Sequence, residues 1–165
     1  MRPERTARPM SALDDKRRVT SRTPGRVVAV AAACWALPYI VSKAHHAMQG
    51  RLGVHGGPAV TPEDAAEYGG AAEISAAQWG NAAVAVLIAV LVLLPLGPVT
   101  HRWNRWLRTL PVIVAAAFLA GMSLLFGMRV IAGDGGLPFT LYMIVWTALV
   151  CALIPASLSI PRPRG

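Results

Sequence analysis

Four long apolar segments, parted by polar ones, set the pattern of this 165-residue chain. They run over Val27–Ala44, Trp79–Gly97, Leu110–Met128 and Leu137–Leu158, each 18 to 22 residues long. A helix rises about 1.5 Å per residue, so roughly 20 residues cross a hydrocarbon core of about 30 Å. No segment carries a charge in its middle. Backbone polar groups find no water in lipid, which leaves helix as the form such runs take. The pattern predicts an all-α integral membrane four-helix bundle over residues 27–159, with tails at 1–26 and 160–165.

The polar stretches add detail. Residues 1–26 hold eight basic residues, three prolines and few large apolar groups. Such a stretch cannot bury enough surface to offset its ordering entropy, so it is expected to be a disordered tail. In the long connection 45–78, "TPED" reads as a helix start with Thr61 as N-cap, Pro62 in the first position and Glu63 and Asp64 at the positive end of the dipole. A short helical loop capping the bundle is expected there, with "AAEISAAQW" leading into the second span. Pro111 and Pro138 are expected to open the third and fourth spans. Pro38 lies inside the first span, where its missing N–H predicts a bend and a freed carbonyl that neighbours must satisfy. Small residues four apart, Ala117/Gly121 and Ser123/Gly127, mark the third span as a central packing helix.

Charge fixes an orientation. The chain is 55% hydrophobic and only 15% charged, against about 25% charged in a soluble domain. Lys and Arg still outnumber Asp and Glu 16 to 8. A nucleic-acid binder presents its basic residues on one face of a soluble domain; these lie between apolar runs, so no nucleic acid is expected. Thirteen of the sixteen fall in the two tails and the 98–109 loop, and three (Lys43, Arg51, Arg129) on the opposite side. Positive charge stays in the cytoplasm, so both termini are expected there. The abundance of Ala, Arg, Gly and Pro suits a GC-rich bacterial genome, and hence a bacterial cytoplasmic membrane. "VVAVAAAC" faintly resembles a lipoprotein signal. Ala31 three residues before Cys34, and the apolar continuation "WALPYIV", argue for an uncleaved anchor.

Candidate chemistry is sparse. His45, His46 and His55, with Glu63 and Asp64, are residue types that bind zinc or iron. Adjacent residues on a helix point about 100° apart, so His45 and His46 share one ion only if the helix has already ended. The expectation is polar interfacial side chains. Lys43 and Arg129 end spans on the same side, where they either snorkel or join Glu73 and Asp134 in an outer polar rim. Cys34 and Cys151 share a depth and are expected to be inert packing residues. In "THRWNRWLRTL", Arg102, Arg105 and Arg108 recur every three residues beside Trp103 and Trp106, an interfacial turn suited to anionic lipid headgroups. No cofactor motif is present.

The stretch "LPYIVSKAHHAMQGRLGVHGG", Leu37 to Gly57, resembles the first-span ending of uncharacterised small four-span membrane proteins of actinobacteria: Leu-Pro-Tyr, a lysine four residues on, then glycines. It covers about an eighth of the chain. His45 and His46 stand where an aromatic or apolar residue often follows the lysine in that group. The resemblance implies the four-span layout and brings no activity. The leading expectation is a non-enzymatic membrane component acting through helix packing and partner or lipid contact, with self-association plausible for such thin helices. Alternatives are a transport or permeation subunit, disfavoured by the lack of a mid-span charge, and a protein using its outer face for a small ligand or metal.

Overall fold

The computed structural model describes residues 11–97, 100, 103–133 and 135–158, with side chains from Gly25 onward. The architecture is all-α. Helix α1 covers Ser11–Met48, α2 Pro62–Ala66, α3 Ala71–Leu93, α4 Arg105–Ile131, α5 Leu137–Cys151 and α6 Leu153–Leu158, with a short 3₁₀ turn at Leu94–Leu96. Four stretches are long and apolar enough to cross a membrane: Gly25–Met48, Ala71–Leu96, Arg105–Ile131 and Leu137–Leu158. They form a ring in which α1 packs mainly on α3 and α4 mainly on α5, closed by α1 with α5 and α3 with α4.

Each helix buries one narrow stripe. On α1 it runs through Ala29, Ala32 and Ala36, and on α3 through Ile74, Gln78, Ala82, Ala85, Ile88 and Val92. The small α1 residues allow the close α1–α3 approach that an apolar solvent cannot itself drive. On α4 the stripe is Arg108, Val112, Ala115, Ala116 and Leu119, facing Met143, Trp146 and Val150 of α5 in one core. Ser123 Oγ and Thr147 Oγ1 meet at 2.9 Å across α4 and α5, and Thr147 donates to the Met143 carbonyl at 2.8 Å. Hydroxyl bonds of this kind join spans at about 0.6 kcal/mol apiece.

The predicted spans are all present, but their ends differ. Helix α1 begins at Ser11, so its second half of the 1–26 segment is helical where disorder is expected. Residues 1–10 and 160–165 lie outside the described residues. Helix nucleation is the costly step and propagation nearly free, so a span already formed carries its helix into adjoining helix-forming residues such as "SALDDKRR". At the other end α1 passes through Lys43, His45 and His46 to Met48. It stops in a Schellman turn: Gly50 sits at φ +60°, its N–H bonds the Ala47 carbonyl at 3.1 Å, and Arg51 N–H bonds the His46 carbonyl at 3.0 Å. A Cβ at Gly50 would also lie 2.9 Å from that of Ala71.

Helix α4 starts at Arg105, five residues before the apolar run, because Asn104 caps it: Asn104 Oδ1 accepts from Trp106 N–H at 2.7 Å and Leu107 N–H at 3.2 Å. Pro111 therefore falls inside α4, not at its start. Helix α2 forms as expected, with a capping box between Thr61 and Asp64, yet it buries none of its residues. The bundle end is instead closed by the loop 51–58, which reaches the start of α5. Phe139 N–H bonds the Gly56 carbonyl at 3.1 Å, and Pro58 bridges to Gly135. Gly136, at φ +82°, must be glycine on two counts, since a Cβ there would lie 2.7 Å from Pro58 N. Inside α1, the Tyr142 hydroxyl donates to the Trp35 carbonyl and Trp35 Nε1–H to the Tyr142 carbonyl at 3.3 Å. That exchange holds α5 beside the turn that Pro38 deprives of a bond.

Candidate functional site at the histidine end of the bundle

The polar groups of the chain gather at the two bundle ends. At one end, Ser42 is 5% exposed on the buried side of α1. The chain turns at Gly50 and returns so that His55 meets it. His55 N–H donates to Ser42 Oγ at 3.0 Å, and Ser42 Oγ and His55 Nδ1 lie 3.0 Å apart. Ser42 Oγ has one hydrogen and two lone pairs, so beside the His55 N–H it accepts, it pairs with His55 Nδ1 in either ring tautomer, donating to a bare Nδ1 or accepting from Nδ1–H. The neighbouring bonds are also structural. Lys43 Nζ donates to the Gly53 carbonyl at 3.0 Å and lies 5.5 Å from the Tyr39 ring centroid, a cation–π contact. Gln78, 1% exposed on α3, donates from Nε2 to the carbonyls of Arg51 at 3.0 Å and Gly53 at 3.2 Å. Three side chains from two helices thus hold one loop.

The three histidines come together although His45 and His46 are adjacent on a continuous helix. Ring centroids are 5.9 Å apart for His45–His46, 6.1 Å for His45–His55 and 5.3 Å for His46–His55. The returning loop brings His55 between the two directions in which the helix points its pair. His46 Nδ1 lies 2.8 Å from the Ser42 carbonyl, so Nδ1 carries the proton. His45 Nε2 accepts from Gln49 Nε2 at 3.0 Å. Among the described residues, no group of three His, Cys, Asp or Glu side chains is placed to hold a metal ion. Glu63 is exposed and Asp64 half-buried on α2, where Asp64 bonds Thr61, and neither takes part in the cluster. The pocket of about 460 Å³ at this end is lined by Pro38, Val41, Ser42, His45 and His55.

The predicted rim does not assemble around Lys43, whose ammonium goes to a backbone carbonyl instead of a carboxylate. The Glu73 carboxylate folds back over Gly69, beside the start of its own helix. Arg129 is exposed at the end of α4, and its charge is felt by Asp64. The Asp64 carboxyl is held below the usual carboxylate value first by the Thr61 backbone N–H, then by the Thr61 hydroxyl, with Arg129 adding a smaller effect. Asp134 lies outside the described residues.

At the other end, the arginine stripe divides. Arg105 is exposed, its guanidinium 5.5 Å from the Trp106 ring, as a headgroup-facing residue should be. Arg108 is 1% exposed, so the expectation of headgroup contact is corrected: three residues turn a helix through about 300°, and Arg108 joins the buried stripe that continues to Val112 and Ala115. It is buried with Thr109, Thr100 and Ser157, where Ser157 Oγ is 3.1 Å from Thr109 Oγ1. Arg102 and His101 lie outside the described residues. Cys34 and Cys151 are free thiols on the outward faces of α1 and α5, not packed in the bundle.

Ser42 and Gln78, which organise this end, escaped the sequence reading. Gln78 had a signal: it follows Ile74 and precedes Ala82 at four-residue spacing, placing an amide on the stripe a span must bury. No protein-family model matches the chain, and no curated protein or solved structure matches it.

Proposed function

We propose that the protein is a non-enzymatic component of a bacterial cytoplasmic membrane, with both termini in the cytoplasm, that works by contact with lipid and with a second copy of itself. The observation that carries this reading is how little of each span the chain buries. Within the most apolar window of each, only 22% to 33% of residues are buried inside the bundle. The rest is a surface for lipid or for another helix.

That surface includes Ala117 and Gly121 of α4, both exposed, and nothing approaches within 4 Å of where a Gly121 Cβ would sit. The four-residue pair read in the sequence as internal packing is thus outward-facing, an open groove into which a second helix fits closely. The exposed Arg105 and Trp106 suit anionic headgroups at the cytoplasmic face, about 1 kcal/mol for a basic side chain near such a surface. The polar groups at both ends are largely engaged in bonds that hold the fold, which favours a scaffold over a catalyst.

The test is energy transfer between two differently labelled copies of the full chain in vesicles, diluted with lipid. The expected result is transfer that persists on dilution and falls sharply in Gly121→Leu, which fills the groove. A chain that is monomeric at every protein-to-lipid ratio would overturn the reading.

A further inference from the structure

We propose that the pocket lined by Pro38, Val41, Ser42, His45 and His55 binds the phosphate of a membrane phospholipid, with the acyl chain lying along Pro38 and Val41. The inference rests on the reading above in placing this end of the bundle in a bilayer, and it names the ligand the end would take there.

Hydrogen-bond accounting shows what the pocket can offer an anion. Ser42 Oγ occupies His55 Nδ1 and can give it the hydroxyl hydrogen, which leaves Nε2 as the free ring nitrogen and, in that tautomer, an N–H donor. His45 Nε2 accepts from Gln49, so its ring proton is on Nδ1. Neither N–H has a partner among the described residues. Against an anion the two imidazoles lining the pocket can each present the free ring nitrogen as a donor, and no lining residue is acidic. Such a site suits an oxyanion, and it has no carboxylate to draw in a cation. His46 Nδ1 is bonded to the Ser42 carbonyl, and its Nε2 is turned away toward Gly53.

Ring spacing agrees. Two rings donating to one oxygen at about 2.8 Å sit with centroids about 6.4 Å apart for a tetrahedral angle. Two rings sharing a zinc ion at about 2.1 Å would be about 5.2 Å apart. The separation of His45 and His55, the two rings that line the pocket, is 6.1 Å; that of His46 and His55, 5.3 Å, is the one near the zinc value.

Depth and polarity place the anion on a lipid. The Gly25–Met48 span has 24 residues, about 36 Å of helix against a core of about 30 Å. The excess of about 6 Å, about four residues of helix, brings the last turn with His45 to headgroup level when it is taken at this end. One turn deeper at Val41, and two at Pro38, the pocket becomes apolar, and Val41 is 65% exposed on the bundle flank. Polar donors above an apolar trough open to the side match a headgroup with its chain attached, and a free anion would use only the upper half.

The full chain, purified in phosphate-free detergent, is examined by native mass spectrometry with dioctanoyl-phosphatidylglycerol, with dioctanoylglycerol and with inorganic phosphate. One phosphatidylglycerol is expected to be retained, dioctanoylglycerol not, and inorganic phosphate more weakly than the lipid. His45→Ala and His55→Ala should each weaken retention about tenfold, the loss of a hydrogen bond to a charged group. His55→Gln, which keeps an N–H donor, should restore part of it and guards against misfolding of the alanine variant. Equal binding of inorganic phosphate and lipid would overturn the lipid assignment. Retention indifferent to all three substitutions, or stoichiometric zinc binding lost in the same variants, would overturn the site. Energy transfer between copies, measured on the same preparations, separates failure of this pocket from failure of the contact reading.

Discussion

Replacing Ser42 by alanine removes the hydroxyl on which the loop 51–58 is hung. Two hydrogen bonds go with it, both 3.0 Å long and both to His55. A net worth of about 0.5–1.5 kcal/mol each in water, and nearer 0.6 between membrane helices, gives a loss of about 1–2 kcal/mol. The helices keep their stripes, so the cost falls on opening the loop and not on unfolding the bundle. A change of that size raises an opening equilibrium about 5- to 30-fold. Amide exchange in nanodiscs reads this directly. Exchange of His55 should rise by that factor, and that of Phe139, bonded to the Gly56 carbonyl, should rise with it. Amides around Leu119, at 0% exposure in the core, should not change. Ser42→Thr keeps the hydroxyl and should stay close to wild type. Unchanged His55 exchange in Ser42→Ala would refute the reasoning, and so would an equal rise at Leu119.

Three further outcomes follow from particular residues. Gly136→Ala sets a Cβ at φ +82° and 2.7 Å from Pro58 N, so strain of about 1–2 kcal/mol adds to a clash. Gly133→Ala, at φ +91° with open space around it, should show the strain alone in an unfolding titration. Trp146 is 1% exposed and its Nε1–H has no partner among the described residues. Trp146→Phe relieves that donor and should stay within about 1 kcal/mol of wild type, whereas Trp146→Ala should cost about 3–5 kcal/mol; equal damage from both would show that the donor matters. Asp64 has its folded value lowered by the Thr61 bonds, so its contribution to α2 is present above the ordinary carboxylate range, about pH 4. It is lost as pH falls further through the folded value. The Thr61 amide resonance should report that loss in acid, and Asp64→Asn should abolish the transition.

The four spans were legible because lipid demands apolar length and little else. Their ends were not, because hydropathy does not see caps. Asn104 starts α4 within the arginine stretch, and the turn at Gly50 lets α1 run past Lys43 and both histidines. Thr61–Asp64 was legible because a capping box is local, encoded within four residues. The histidine cluster was not, since His55 reaches His45 and His46 only when Ser42, Lys43 and Gln78 fix the path of the loop. Likewise Ala117 and Gly121 give the spacing of a packing groove, but not whether it faces inward. Arg108 shows the same limit: its three-residue spacing from Arg105 is a clear motif, yet the turn of the helix takes it to the other side.

Site-directed thiol labelling of intact bacterial cells tests the central claim most directly, that four helices cross the membrane with the histidine end outside. In a chain with Cys34 and Cys151 replaced by alanine, single cysteines are introduced by Ala59→Cys in the loop at the histidine end and Asn104→Cys at the arginine end. A membrane-impermeant maleimide should label the first in intact cells and the second only after permeabilisation. Labelling of both sites in intact cells, or of the arginine end alone, would contradict the account.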